Sequence, residues 1–491
     1  MSRLRDVSDQ DVAHLADRLD VAFTEEELTD AADRMETLAD IYDDLDAAPV
    51  ERGVPGGRDS FETGPRRPGP DEDPYNAWLT RFDLSRPDAG GLLDGLSVAL
   101  KDNTCVRGVE LTCGSRAFEG TVPDQHATVV ERFLDAGATI TGKTNMDELA
   151  FGPTSETSAF GPTENPVAEG HVTGGSSAGS AAAVASGEVD LALGTDTGGS
   201  VRIPASYCGI VGMKPTYGRV PLRGVVPLAY SMDHVGTLAR DVETATRGLA
   251  AIGDRDPDGA PMVDPHALGT DPASLSIGLA PGFFETHTSE AVTEAVHGAV
   301  DELADAGADV RDVEIPALEY SRQAWWGIAP SEFAAEFATN AAGLWRSGRS
   351  TPSLVAGMAR TRRAAGGDLG SNIKEMLALG EHLNVSRDGR PYARARNLRA
   401  DLIEDVDSAL EEVDLLAAPG TPTTALEIGG FERGVTPPVN WVTHPTNLTG
   451  HPSVSLPCGD ADGLPVGLQL IGPMGVDQAV LDAAYAYEQL G

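Results

Sequence analysis

The sequence predicts an α/β protein, a large sheet with helices on both faces, preceded by a small helical N-terminal segment. Three observations carry this reading. Apolar residues recur at spacings of three and four over residues 8–47, residues 51–75 are rich in Gly, Pro, Arg and Asp, and from about residue 90 short β-rich runs alternate with helical stretches. At 491 residues the chain is ample for a large core. The expected division is a helical segment and linker over 1–75 and a main domain over 76–491.

In the first stretch Val12, Leu15 and Leu19, then Leu28, Ala31, Met35, Leu38 and Ile41, mark one helical face each. Ser8 and Thr24 stand where N-caps belong, and Thr24 with Glu27 makes a capping box. Beyond the linker, Leu96–Leu100 reads as a strand ending at Lys101. Residues 127–136 read as a helix, 138–141 as the next strand and 180–186 as a helix of small residues. Val189–Leu193 reads as a strand running into a Gly-rich loop. The alternation continues through strand 275–279, helix 289–306 and strand 310–315. Residues 320–400 look mostly helical, an insertion over the sheet, before strands return at 414–418 and 465–471. No internal repeat of solenoid period is present.

Charge narrows the setting. There are 36 basic residues against 76 acidic, a net of −40, and only four of the basic residues are lysines: Lys101, Lys143, Lys214 and Lys374. Acid spread along the whole chain with lysine nearly absent resembles proteins of salt-rich cytoplasm, where dense counterions screen the repulsion. Where lysines are scarce, those that remain are candidates for a chemical role. The negative field argues against nucleic acid as a partner, which calls for a basic footprint. No run reaches the roughly 18 apolar residues of a membrane span, and the polar start, Met1–Asp20, is no signal peptide, so a cytoplasmic protein without membrane contact is expected. Cys105, Cys113, Cys208 and Cys458 fit no zinc spacing and read as reduced and mostly buried. His171, His234, His444 and His451 do not have the spacing of a metal site either.

Three segments carry chemistry: Val98-Ala-Leu-Lys-Asp-Asn-Thr104, Thr173-Gly-Gly-Ser-Ser-Ala-Gly-Ser180 and Gly194-Thr-Asp-Thr-Gly-Gly-Ser-Val-Arg-Ile-Pro204. The second contains Gly-x-Ser-x-Gly around Ser177, but residues 168–174 make a poor strand, so a nucleophile elbow is not expected. It lacks the lysine of a phosphate-binding loop, and a Gly/Ser turn capping a helix describes it as well. In the third, a strand feeds consecutive glycines, whose backbone can aim several N–H groups at one spot beside a serine hydroxyl. The first supplies a base. A lysine at the end of an apolar strand is desolvated, which disfavours its ammonium form. A lone lysine after a strand ordinarily snorkels to the surface, and only the scarcity of lysine argues otherwise here.

Together these segments resemble the amidase-signature family, with Cys208–Gly218, Pro445–Pro452 and Gly463–Gly472 adding to the likeness. The resemblance implies that family's fold, a large mixed sheet flanked by helices, with 76–491 as the catalytic domain. It implies Ser200 as nucleophile and acyl carrier, Ser176 in a cis peptide as proton relay, and neutral Lys101 as terminal base, a variant of triad logic. Amides of Thr197, Gly198, Gly199 and Ser200 would form the oxyanion hole. Ser177 would support the serine relay, and Asp196 would pair with Arg202 to hold the loop. No metal or cofactor is implied.

Within the family the expectation is a free-standing amidase of linear carboxamides, of the type that accompanies nitrile hydratases. It would act on a small-molecule amide as a homodimer. The alternative is the glutaminase component of a tRNA-dependent amidotransferase. The helical N-terminus, Pro70–Trp78 and Ser231-Met-Asp-His234 look like the first type. Zwitterionic glutamine calls for an acid and an arginine. The positions matched to those charges are Asn440 and the neighbourhood of Glu375 and Met376.

Overall fold

The computed structural model describes residues 7–47, 59–255, 261–285, 287–343, 349–430 and 438–491. The chain divides into two compact units, Met1–Gly56 and Gly57–Gly491.

The first unit pairs helices α1 (Asp9–Leu19) and α2 (Glu25–Ala47). Both start on reciprocal caps. Ser8 Oγ accepts from Asp11 N while Asp11 accepts from Ser8 N, and Thr24 and Glu27 do the same.

The second unit is built on one sheet. Its elements run β1 (Ser60–Arg66), β2 (Trp78–Ser85), β3 (Ser97–Lys101), α3 (Thr128–Asp135), β4 (Thr139–Thr144), α4 (Ala178–Ala185) and β5 (Leu191–Asp196). Then come α5 (Arg202–Cys208), β6 (Val211–Lys214), β7 (His234–Ala239), α6 (Val242–Ile252), β8 (Ser276–Leu279), α7 (Glu290–Asp305) and β9 (Asp309–Asp312). Helices α8 (Ser321–Ala338), α9 (Pro352–Arg360), α10 (Ser371–Glu381) and α11 (Arg390–Glu412) form the helical region. β10 (Leu415–Pro419), α12 (His444–Thr449), β11 (Ser453–Ala461), β12 (Leu464–Ile471) and α13 (Asp477–Glu488) complete the chain.

The strand order is β1-β2-β4-β3-β5-β7-β6-β11-β12-β10-β8-β9. β3 runs parallel to β4 and β5, and β8 parallel to β9 and β10, while the pairs from β5 through β7, β6, β11 and β12 to β10 are antiparallel. The fold is therefore α/β with a large mixed sheet flanked by helices, as expected. β1 lies inside the stretch whose composition reads as linker. Its side chains are all exposed, so no alternation betrays it, and backbone pairing with β2 alone makes it a strand. Residues 51–58 of that linker and residues 1–6 of the N-terminus lie outside the described residues.

Central strands β3 and β5 are buried almost throughout, which matches their continuous apolar runs. Helix α4 packs its alanines and Val184 against Ala99 and Ala192, a close approach that only small side chains permit. Gly179 in α4 has no room for a side chain, since a Cβ would stand 2.1 Å from Ala77 O. The start of α4 is thereby held against Ala77 and Asn145, just before β2 and just after β4, whose last residue Thr144 pairs with Lys101. Among the described residues no helix is long and apolar enough to cross a membrane.

Candidate active site

β3 ends at Lys101, which is wholly buried. Its Nζ donates to Ser176 Oγ at 2.7 Å and to Thr195 Oγ1 at 2.9 Å. Asn103 Nδ2 donates to the same Thr195 oxygen at 3.1 Å. Desolvation pushes the Lys101 ammonium down to about 7, against the pull of Asp147, Asp196 and Asp233, which favour the charge. Near neutral pH the amine is thus available as a proton acceptor. Three of the four lysines, Lys101, Lys143 and Lys214, are buried, and Lys374 alone is exposed. Lys143 bonds with Asp102 at 2.6 Å. Lys214 caps the carbonyls of Pro215 and His451.

Ser176 follows a cis peptide bond from Gly175 and is fully buried. Asp147 closes against this turn. Its amide donates to Ser176 O at 3.2 Å, and a Cβ on Gly175 would stand 1.8 Å from its Oδ2. Ser177 ties the two serine-bearing segments together: its amide donates to Ser200 O at 3.2 Å, and its Oγ donates to Thr195 O at 3.2 Å.

Ser200 is partly exposed and stands at the end of the loop that leaves β5. Each carbonyl of that loop is held. Asp196 O accepts from Asn447 Nδ2 at 3.0 Å, Thr197 O from Trp325 Nε1 at 3.2 Å, Gly198 O from Thr443 Oγ1 at 2.8 Å and Gly199 O from Ile203 N at 2.7 Å. Thr197 Oγ1 in turn donates to Asp233 at 2.7 Å. At Gly199, φ is +124° and a Cβ would stand 2.1 Å from Thr443 Oγ1, so both the backbone and the space demand glycine. The Gly199 amide donates to Asp196 Oδ1 at 2.9 Å and is therefore already engaged.

Asp196 and Arg202 are both fully buried and paired at 2.9 Å. Burial alone would push the Asp196 carboxyl up, but Arg202, with Lys214 and Asn447, holds it below the ordinary carboxylate range. Arg202 also donates to Thr443 O, Thr446 Oγ1, Gln469 Oε1 and Asn447 Oδ1. Loop, α12 and β12 thus share one guanidinium. The fork geometry of arginine suits this, since a single ammonium could not reach as many acceptors.

The structure brings Lys101, Ser176, Ser177, Asp196, Thr197, Gly198, Gly199, Ser200 and Arg202 to one place. Residues whose part in the site sequence reasoning misses include Thr195, Asn103, Asp147, Asn447, Thr443, Gln469, Asp233 and Trp325. Asn447 and Gln469 lie within segments already singled out. Nothing local in the sequence links them to Arg202, which lies 245 and 267 residues earlier. Among the described residues no group of three or more His, Cys, Asp and Glu side chains is placed to hold a metal ion. The cysteines are unpaired, with Cys458 half-buried and the others buried.

Residues 76–481 match the family model described as Amidase. The chain is 43% identical over 417 residues to the glutamyl-tRNA(Gln) amidotransferase A subunit of Natronomonas pharaonis, covering 81% of this chain and 96% of that one. It is 40% identical over 428 residues to the corresponding protein of Haloarcula marismortui, covering 84% and 99%. Among solved structures it resembles the corresponding protein of Thermotoga maritima (30% identity, TM-score 0.69, 99% of this chain and 95% of that one). It also resembles the peptide amidase of Stenotrophomonas maltophilia (32% identity, TM-score 0.67, 82% and 84%).

These relatives overturn the expectation of a free-standing amidase of the nitrile-hydratase-associated type. They also overturn its partner set, which is limited to a small-molecule amide and a second copy of the chain and excludes nucleic acid. The reasons lie in the features that suggested it. A helical N-terminus does not separate the two types, because the Thermotoga maritima protein matches 99% of this chain. Ser231-Met-Asp-His234 does not either: Asp233 accepts from Leu228 N and Ala229 N and holds Thr197, and Ser231 bonds Glu332, all of which are internal contacts of the fold. A net charge of −40 spread along the chain leaves the partners open. The matched stretch, the mixed sheet and the relatives agree: the chain belongs to the amidase-signature family of amide-hydrolysing enzymes.

Proposed function

We propose that the chain is the ammonia-producing component of a tRNA-dependent amidotransferase, releasing ammonia from the carboxamide of glutamine through an acyl-enzyme on Ser200. The observation that carries the chemistry is the buried 2.7 Å contact between Lys101 Nζ and Ser176 Oγ at the foot of the loop bearing Ser200. Ser200 Oγ attacks the carboxamide carbon and passes its proton to Ser176, whose own proton moves to neutral Lys101. The developing oxyanion is met by the amides of Thr197, Gly198 and Ser200, since that of Gly199 is held by Asp196. The C–N bond breaks, ammonia leaves with the proton returned along the relay, and water cleaves the ester to give glutamate and free Ser200. Ser177, Asp196 and Arg202 hold the two loops in register. Similarity to the glutamyl-tRNA(Gln) amidotransferase proteins of two organisms across 81% and 84% of the chain supports the substrate and the setting, with further protein subunits and glutamyl-tRNA(Gln) as partners. The acidic surface, with three of four lysines withdrawn from it, suits work in concentrated salt.

Ammonia release from glutamine, propionamide and benzamide in molar salt tests this, with and without the partner proteins and charged tRNA. Release from glutamine that rises when the partners are added is expected. Equal release from all three amides, indifferent to partners, would sink the proposal.

The relay also fixes a pH dependence. Lys101 acts only as the neutral amine, so kcat/KM should climb as pH rises and level off above an apparent pKa near 7. One unit below that midpoint it should stand about tenfold under the plateau. A flat profile from pH 5 to 9 would remove Lys101 from the mechanism.

A further inference from the structure

We infer that Trp325 is a positioning residue for the oxyanion step, aiming the Gly198 amide by hydrogen-bonding the carbonyl on the same peptide. Peptide groups are planar, and this one is trans, since the only cis bond among the described residues is Gly175–Ser176. In a trans peptide the N–H and the preceding C=O point in opposite directions. Whatever holds Thr197 O therefore sets the direction of Gly198 N–H. The holder is the indole Nε1 of Trp325, at 3.2 Å.

The same logic read along the loop shows why this peptide matters. Thr443 holds Gly198 O, and the amide opposite it, that of Gly199, is already taken by Asp196. Asn447 holds Asp196 O, which orients the Thr197 amide. Asn447 and Thr443 belong to the α12 region, whereas Trp325 comes from α8, within the helical region that the sequence presents only as an insertion over the sheet. The indole is itself fixed. It is buried, with Phe151, Trp326 and His444 rings at centroid distances of 6.1, 5.3 and 6.3 Å. It also explains Gly198, whose φ is ordinary: a Cβ there would stand 3.2 Å from Trp325 Cζ2 and Nε1, tighter than side chains normally meet. Loop and indole are fitted to each other, so a turn of α8 would be felt at the oxyanion.

The inference rests on Ser200 being the nucleophile, and its test reads that serine directly, whatever the amide substrate. A fluorophosphonate reacts as Ser200 Oγ bonds to phosphorus, fluoride leaves and the serine proton enters the relay; the phosphoryl oxygen takes the oxyanion position. Full-length protein in molar salt is labelled over a range of pH as wild type, Trp325→Phe and Trp326→Phe. Trp325→Phe keeps an aromatic ring but loses the donor, and its labelling rate constant should fall about tenfold, with the pH midpoint of labelling unmoved. Trp326→Phe touches the indole but not the loop and should label at the wild-type rate. A wild-type rate in Trp325→Phe overturns the inference. So does a shifted midpoint, or an equal loss in both variants, because either marks general packing damage. Absence of Ser200 labelling in the wild type overturns the nucleophile assignment and the role of Trp325 with it.

Discussion

Ser200→Ala and Lys101→Met are each expected to slow ammonia release by on the order of 10⁴-fold or more, and the double variant no further. The reason is that they act as one unit. Without the hydroxyl there is nothing for the relay to deprotonate, and without the amine the relay ends at Ser176 with no acceptor. Single-turnover ammonia release from both single variants and the double variant measures this. Multiplying losses would mean that the two groups act independently.

Lys101→Met carries a second signature that needs no substrate. The amine sits near 7 in the folded chain and near 10.5 when exposed. Between those values the unfolded state binds more protons, so wild-type stability rises with pH across that window. Below about pH 7 both states are protonated and the cost of burial is constant. The methionine variant lacks this slope. Chemical denaturation at about pH 7 and about pH 10 should show the wild type gaining on Lys101→Met, and parallel curves would contradict the depressed amine.

Arg202→Leu should destabilise the fold by about 3–5 kcal/mol. Leucine fills part of the volume but leaves Asp196 as an uncompensated buried charge and strips Thr446, Asn447 and Gln469 of a donor. Burial works against the Asp196 carboxylate, and its partners hold it ionised below the ordinary range. The stabilisation it contributes is therefore complete above about pH 4 and is lost only as pH falls further. Denaturant midpoints of both proteins near neutral pH give the comparison. Arg202→Lys should recover only part of the loss, because one ammonium cannot serve acceptors on the loop, α12 and β12 together. A loss under about 1 kcal/mol for Arg202→Leu would mean that the loop is held by something else.

The sheet and the site are legible in the sequence to different depths. Strands such as β3 and β10 are apolar runs bounded by breakers, and α1 and α2 carry both period and caps, so local pattern suffices for them. β1 is a strand only because β2 lies beside it, and β6 has four residues, too few to establish a period. In the site, Lys101, Ser176 and Ser200 stand in dense motifs, so the sequence alone nominates them for the proposed chemistry. Trp325, Thr443 and Asn447 do not, because their role is to hold carbonyls of a loop that reaches them only through the tertiary fold. A tryptophan such as Trp325 reads from sequence as core or pocket wall, and its burial fits either reading. The hydrogen bond from its ring to Thr197 O is what distinguishes it. Discrimination within the family fails for a related reason: the segments that suggest one type serve the internal architecture, and similarity over most of the chain outweighs two charges matched by position.

The placement of the lysines has a practical consequence. With Lys101, Lys143 and Lys214 enclosed, an amine-directed reagent meets one exposed lysine ammonium on the folded chain, that of Lys374 on α10. A dye, tether or resin coupled through lysine would join every molecule at the same point and in the same orientation. The three enclosed amines would react only when the chain opens, so the extent of amine labelling would double as a measure of unfolding.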